Sequence, residues 1–152
     1  MNRTEKLARE IISDAGLESV AQAIKSFETR TSGEIVISFN TNSGGQPYKR
    51  ARQIFKRQKL YETKERNAIL IALYLEERSF AVFGDAGIHD RLGVEYWQST
   101  VKAMSEHFTS GDLATGLVWA INELGERLAE FFPLADDDQN ELSDDLRFEE
   151  GA

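Results

Sequence analysis

The chain has 152 residues, a formal net charge of −8 at pH 7 and no cysteine. A chain of this length forms about one domain and buries a core large enough to fold without cross-links. The absence of cysteine excludes disulfides, zinc–thiolate sites, thiol nucleophiles and iron–sulfur clusters.

Residues 1–30 predict two helices and no export signal. Apolar residues recur at helical spacing from Asn2 to Ser13 and from Leu17 to Arg30, and Asp14 is expected to cap the second helix. Charged residues interrupt every apolar stretch here, and no stretch elsewhere reaches the ~18 apolar residues of a membrane helix. We therefore expect a cytoplasmic protein without a membrane span.

A strand and a basic helix are predicted next. Glu34 to Asn40 alternates with the two-residue period of a strand, and a flexible loop containing Gly44 and Gly45 follows it. Residues 49–66 carry eight basic and two acidic side chains, while apolar residues recur at helical spacing from Tyr48 onwards. The basic side is either a solvated helix face or a docking surface for an anionic partner.

Two apolar strands form the centre of the chain. Ala68 to Leu75 is apolar at nearly every position, which places this strand inside a sheet that is covered on both sides. Phe80 to Phe83 follows a turn that is short enough to force antiparallel pairing. The pattern predicts a layered α/β domain built around this β-hairpin.

The segment after the second of these strands carries the candidate ligands. Asp85 and Asp90 lie five residues apart, and in a tight turn their carboxylates would suit a hard divalent cation. The alternative is local, because Asp85 can stabilise a turn and Asp90 can cap the next helix. Glu34, Asn40 and Asn67 flank the strands and are further oxygen donors.

Two more helices and an acidic tail complete the chain. Apolar residues recur at helical spacing from Val94 to Phe108, and Asp112 is expected to cap a final helix that ends at Pro133. We divide the chain into a folded domain, residues 1–134, and an acidic tail, residues 135–152, which is too charged to build a core and is predicted to be mobile. The tail either solubilises the protein or docks on the basic helix. Three apolar residues are candidate anchors: Leu142, Leu146 and Phe148.

Several familiar motifs fail when their spacing is checked. The segment from Asp136 starts with EF-hand spacing but lacks the glycine and the final glutamate of such a loop. Gly84 to Gly87 has neither the dinucleotide-binding pattern nor a P-loop lysine, and no second histidine follows His89 or His107 at metal-ligand spacing. The folded domain also lacks the net positive charge of a nucleic-acid-binding protein, so we expect no nucleic-acid partner.

Four segments occur in an order and spacing that resemble a known family. They are Thr31–Ile37, Asn67–Ile71, Glu77–Ile88 and Gly111–Leu117. Together they resemble the TPM domain family, which includes a thylakoid-lumen phosphatase-like protein and many bacterial proteins. The resemblance extends from Ala21 to Pro133 and implies a three-layer α/β/α sandwich with a small mixed sheet that contains the central β-hairpin.

The resemblance also implies a cation site. TPM domains hold a divalent cation near the loops at one edge of the sheet, so we expect calcium, with magnesium as the alternative. Asp85 and Asp90 are the expected ligands, and Asn67 and Glu34 are expected to complete the set. In this hypothesis the protein is a binding or regulatory module.

Two other functions stay open at this point. In a metal-assisted phosphatase of phosphate monoesters, which the resemblance also implies, Lys64 or Arg66 would hold the substrate. No catalytic nucleophile can be assigned, so the sequence does not decide whether the protein is an enzyme. In an interaction adaptor, the basic side of residues 49–66 would bind an unknown protein partner. The oligomeric state is not predicted.

Overall fold

The computed structural model describes residues 1–135 and 146–149. Within these residues the chain forms six helices and four strands. In chain order they are α1 (Arg3–Ile12), α2 (Asp14–Lys25), β1 (Glu34–Asn40), α3 (Pro47–Arg57), β2 (Ala68–Tyr74), β3 (Ser79–Gly84), α4 (Ala86–Leu92), α5 (Val94–Ser110), α6 (Leu113–Phe131) and β4 (Leu146–Phe148). None of the helices in this part of the chain has both the length and the hydropathy needed to span a bilayer.

The strands form one mixed sheet in the order β3-β2-β1-β4. β1 and β2 run parallel, with Glu34 opposite Ala68 and Asn40 opposite Tyr74. β2 and β3 are antiparallel and form the hairpin, while β4 runs parallel to β1 along its other side. The apolar strand β2 therefore lies inside the sheet, as its composition predicts.

Helices cover both faces of the sheet and so create three layers. On one face α1, α2, α4, α5 and α6 pack against alternate strand residues such as Ile37 and Ile71. On the other face α3 is the covering helix among residues 1–135 and 146–149, with Ile54 and Phe55 packed against residues such as Leu70. Every position of β1 and β2 is buried. Because each buried large apolar side chain contributes ~1.5–3 kcal/mol, these two strands hold the layers together. The predicted α/β/α sandwich with its central hairpin is confirmed.

The start and the end of α2 differ from the prediction. Its N-cap is Ser13, whose side chain accepts a hydrogen bond from the backbone N–H of Gly16 at 3.1 Å. Asp14 lies instead in the first turn, where it pairs with Arg9 at 2.6 Å. Ser13 ends α1 and begins α2, so no separate capping residue is available between them. The helix ends at Lys25, and turns occupy the next five residues.

Part of the acidic tail forms the fourth strand. The sequence predicts a mobile tail with Leu146 and Phe148 among its candidate anchors, and the structure places both residues in β4. A strand of three residues is stabilised by pairing with β1, which local propensity does not reveal. Leu142 and the segment that begins at Asp136 lie outside the described residues, so the predicted behaviour of that part of the tail stays a prediction.

Candidate functional site

The segment after β3, which the sequence predicts as a loop, forms the short helix α4. Asp85 is the N-cap of this helix, and its Oδ1 accepts a hydrogen bond from the backbone N–H of Ala86 at 2.8 Å. Gly87 allows α4 to approach the preceding loop, because a Cβ atom here would lie 2.1 Å from the carbonyl oxygen of Glu65. The backbone N–H of Gly87 donates to the carbonyl of Arg66 at 2.8 Å. The start of α4 and residues 65–66 therefore form one packed unit.

Arg66 binds the Asp85 carboxylate at two points. Its Nε lies 2.6 Å from Oδ2, and its Nη2 lies 2.8 Å from Oδ1. The Asp85 side chain is 4% exposed, whereas that of Arg66 is 53% exposed. The hydrogen bonds to Asp85 raise the pKa of the Arg66 guanidinium above its ordinary value. Both oxygens of Asp85 are thus engaged by a guanidinium and a helix start.

The structure gives Asp85 and Asp90 different surroundings. Asp90 is exposed on α4, whereas Asp85 is buried at the N-cap of that helix. Nor does Asp90 cap the next helix, since the N-cap of α5 is Gly93. A cation shared by these two aspartates would have to displace the contacts of Asp85, and its binding there stays a prediction. Among the described residues, no group of three or more histidines, cysteines, aspartates and glutamates could hold a metal ion.

Asn67 and Glu34 lie at the starts of neighbouring parallel strands. Asn67 directly precedes Ala68, and Ala68 is opposite Glu34 in the sheet. Asn67 is 0% exposed and Glu34 is 5% exposed. Nδ2 of Asn67 donates a hydrogen bond to Oγ of Ser32 at 3.2 Å. Its Oδ1 is buried and receives no hydrogen bond from any described residue. An unsatisfied buried acceptor costs ~1–3 kcal/mol, so this oxygen is suited to an additional positively charged partner.

Ser32 connects Asn67 to a carboxylate that the sequence analysis missed. The Ser32 hydroxyl donates a hydrogen bond to Oε2 of Glu65 at 3.1 Å. Ser32 is half-buried and Glu65 is exposed, so the three side chains lead from the end of the sheet to solvent. We call Ser32, Glu65 and Asn67 the polar cluster. Only the packing of two chain segments brings these residues together, and no spacing pattern in the sequence indicates it.

The two candidate anion-binding residues have different surroundings. Lys64 is exposed at the rim of this region. The Arg66 guanidinium is engaged by Asp85, and the backbone φ of Arg66 is 54°, in the left-handed region. The side chain of Arg66 therefore helps to fix the loop that carries Glu65 and Asn67.

A second, partly buried arrangement fixes the loop before α3, which the sequence predicts to be flexible. The Glu77 carboxylate accepts hydrogen bonds from the backbone N–H and the hydroxyl of Ser43, both at 2.6 Å, and from the Ser79 hydroxyl at 2.7 Å. A weaker bond comes from the backbone N–H of Gly45 at 3.3 Å. These donors, the Ser43 hydroxyl first, lower the pKa of Glu77 to about 2. The Glu77 carboxylate therefore fixes the conformation of this loop.

Comparison with known proteins identifies relatives of this fold. The family model described as the TPM domain matches residues 8–127. BA42, a protein of the psychrophilic bacterium Bizionia argentinensis with a structure determined by NMR, is 32% identical and superposes with a TM-score of 0.81. That match covers 89% of this chain and 93% of BA42. No curated protein matches the chain.

Two more distant structures share the fold alone. The N-terminal domain of a Corynebacterium glutamicum protein is 17% identical, with a TM-score of 0.58, and the match covers 89% of this chain and 79% of that domain. The N-terminal domain of a P. gingivalis protein is also 17% identical, with a TM-score of 0.64 and coverage of 79% and 78%. The two identities are too low to transfer a function.

Proposed function

This chain belongs to the TPM domain family, and on that premise we propose that it is a binding module that holds a divalent cation, calcium by preference, at the polar cluster. The observation that carries the proposal is the buried Oδ1 of Asn67, which receives no hydrogen bond from the described residues. A cation would satisfy this oxygen without any rearrangement of the amide, because Nδ2 already binds Ser32.

The chemistry of the polar cluster fits a hard cation. Amide, hydroxyl and carboxylate oxygens come from Asn67, Ser32 and Glu65. The buried Glu34 is a further candidate ligand, because its backbone N–H donates to the carbonyl of Asn67 at 3.4 Å. Calcium takes ~6–8 oxygen ligands, so water would complete the shell on the exposed side of Glu65. When bound, the ion supplies positive charge that neutralises these carboxylates.

Asp85 has an indirect part in this proposal. Together with Arg66 it positions residues 65–67, because the ion pair and the Gly87–Arg66 hydrogen bond both act on the backbone that carries Glu65 and Asn67. Asp85 is therefore a positioning residue, and the exposed Asp90 is not needed for cation binding.

Thermal unfolding of the chelator-treated protein, repeated with calcium chloride, tests the proposal. At a hundred times the dissociation constant, calcium should stabilise the wild type by about 2.7 kcal/mol and raise its melting temperature by about 5–10 °C. Glu65→Gln, which keeps a hydrogen-bond acceptor for Ser32, should lose most of this shift. Asp90→Asn removes one carboxylate from the same region and is the matched control that should keep it.

The pattern of results separates the possible ligand sets. If Asp90→Asn loses the calcium-dependent shift in melting temperature and Glu65→Gln keeps it, the cation site would lie at Asp85 and Asp90, as the sequence predicts. No shift in the wild type with either calcium or magnesium would remove cation binding altogether.

The metal-assisted phosphatase has less support than the binding module. Of the two residues expected to hold the substrate, Lys64 and Arg66, the second is engaged by Asp85, and a phosphate there would have to displace a two-point ion pair. We expect no turnover of a generic phosphate monoester from acidic to neutral pH with calcium, magnesium or manganese. Metal-dependent turnover that disappears in Glu65→Gln would make the phosphatase the better description.

A further inference from the structure

The outer edge of β1 carries a strand from the far end of the chain. Residues 146–149, which we call the tail segment, lie along β1 with Ile37 opposite Leu146 and Phe39 opposite Phe148. The backbone N–H of Glu149 donates to the carbonyl of Phe39 at 2.9 Å, and Asn2 Nδ2 donates to the carbonyl of Phe148 at 2.9 Å. This mode of attachment is strand addition, in which backbone hydrogen bonds supply affinity and side chains supply specificity.

Two side chains of the tail segment make specific contacts. The ring of Phe148 stacks on that of Phe39, with centroids 5.1 Å apart and planes 11° from parallel. The Glu149 carboxylate binds Arg57 at the end of α3 at 3.3 Å and also accepts a hydrogen bond from Gln58. The site therefore accommodates an aromatic residue followed by an acid.

The outer edge of β1 is covered by the tail segment, whose strand is short. Ile37, Ser38 and Phe39 are each 0% exposed with the tail segment in place, so its removal would uncover apolar surface and unpaired backbone groups. All three residues of β4 remain partly exposed. A short and partly exposed strand buries little surface of its own, so an equivalent strand can compete for the same edge.

The surface beside Glu149 favours further acidic groups. A small cavity of about 40 Å³ lies there, and Arg50, Arg57 and Asn40 are among its lining residues. Within the described part of the chain, Arg50 forms no ion pair with an acid. Lys49 and Lys56 are exposed on the same helix and extend the positive charge.

We propose that the outer edge of β1 and the end of α3 bind an extended acidic segment of a partner protein, in competition with the tail segment. The bound segment would run parallel to β1 and read apolar residue, any residue, aromatic residue, glutamate. The tail segment occupies this surface in the absence of a partner, so a partner segment binds only if it displaces the tail segment. This surface uses the other half of β1 from the polar cluster, so the proposal is independent of cation binding.

Fluorescence anisotropy with a labelled peptide of residues 144–150 tests this surface on the full-length protein. Phe148→Ala weakens the attachment of the tail segment, so the peptide should bind this variant about tenfold more tightly than the wild type. A peptide with alanine in place of its phenylalanine should bind the same variant about tenfold more weakly, because an aromatic anchor is lost. Equal binding in either comparison would overturn the proposal.

Charge variants provide the matched control. In the Phe148→Ala background, Arg57→Glu should weaken peptide binding more than Arg52→Glu, which reverses the same charge about 140° around the helix. Should Phe148→Ala not fold, as judged by its thermal unfolding, Glu149→Lys takes its place in every comparison. A wild-type molar mass that rises with concentration in sedimentation, with no gain in peptide binding by the variants, would assign the edge to a second copy of this chain and overturn the proposal.

Discussion

Arg66 is the residue on which the loop before β2 depends. Its φ of 54° is unfavourable for a side chain with a Cβ atom and costs ~1–3 kcal/mol. Contacts from α4 compensate, since Asp85 binds the guanidinium and Gly87 binds the carbonyl. Because Glu65 and Asn67 flank Arg66, the backbone conformation of Arg66 determines the geometry of the polar cluster.

The Arg66–Asp85 pair should respond unequally to the loss of each partner. Arg66→Met leaves a buried carboxylate without its cation and should lower the free energy of unfolding by about 2–3 kcal/mol. Asp85→Asn leaves only a partly exposed arginine and keeps a good N-cap, so its cost should be about 1 kcal/mol. Urea unfolding of the two variants at neutral pH gives the comparison. Equal costs would indicate that Asp85 is effectively hydrated.

At this scale the sequence predicts residue types better than residue roles. Asp85 and Asn67 are both recognised as polar residues beside strands, but the partner of Asp85 is 19 residues away and reaches it only after α4 has packed. The same applies to Ser32 and Glu65, which are 33 residues apart in the chain. Roles that depend on such contacts are decided by tertiary structure.

Among the secondary-structure elements, the loop that leads into α3 is fixed by the turn of the β-hairpin. Glu77 lies in that turn and gathers donors from Ser43 and Gly45. Gly44 and Gly45 have φ of 66° and 79°, which allows the backbone to curl around the carboxylate. The position of the only helix that is described on this face of the sheet is thereby tied to the hairpin.

Stability should therefore depend on the charge of Glu77. Its pKa in the folded protein is about 2, below the ordinary 4.5, so its contribution is complete above pH 4.5 and is lost as the pH falls toward 2. Glu77→Gln should cost about 1–2 kcal/mol at neutral pH and progressively less below pH 4.5. Thermal unfolding of both proteins across this pH range tests the expectation. Parallel curves would show that Glu77 is not the group responsible.

Elements with a strong internal pattern are predicted well, and those that depend on neighbours are not. The bounds of β1 follow from its alternation, and β2 follows from its unbroken apolar run. The helix α4 has only seven residues and contains Gly87, so its amphipathic signal is too short to recognise. β4 exists only because β1 offers an open edge.

Across the whole molecule, stability should be highest in the middle of the sheet. β2 is covered on both faces and paired on both sides, so its amides should exchange with solvent most slowly. Phe148→Ala should speed exchange in residues 37–39 and leave the β2–β3 hairpin nearly unchanged. Hydrogen–deuterium exchange read by mass spectrometry gives this map. Faster exchange throughout the sheet would indicate global destabilisation, and no change would indicate that β4 does not protect β1 in solution.

The short strand β4 also bears on how the protein behaves when crowded with copies of itself. β1 has seven buried residues in a regular extended backbone, which is the kind of edge that recruits further strands into fibrils. Within the described residues β4 offers three positions on its own outer side, and charged Arg147 interrupts the apolar pair Leu146 and Phe148. Pairing with β4 is therefore expected to oppose the addition of further strands at this edge of the sheet.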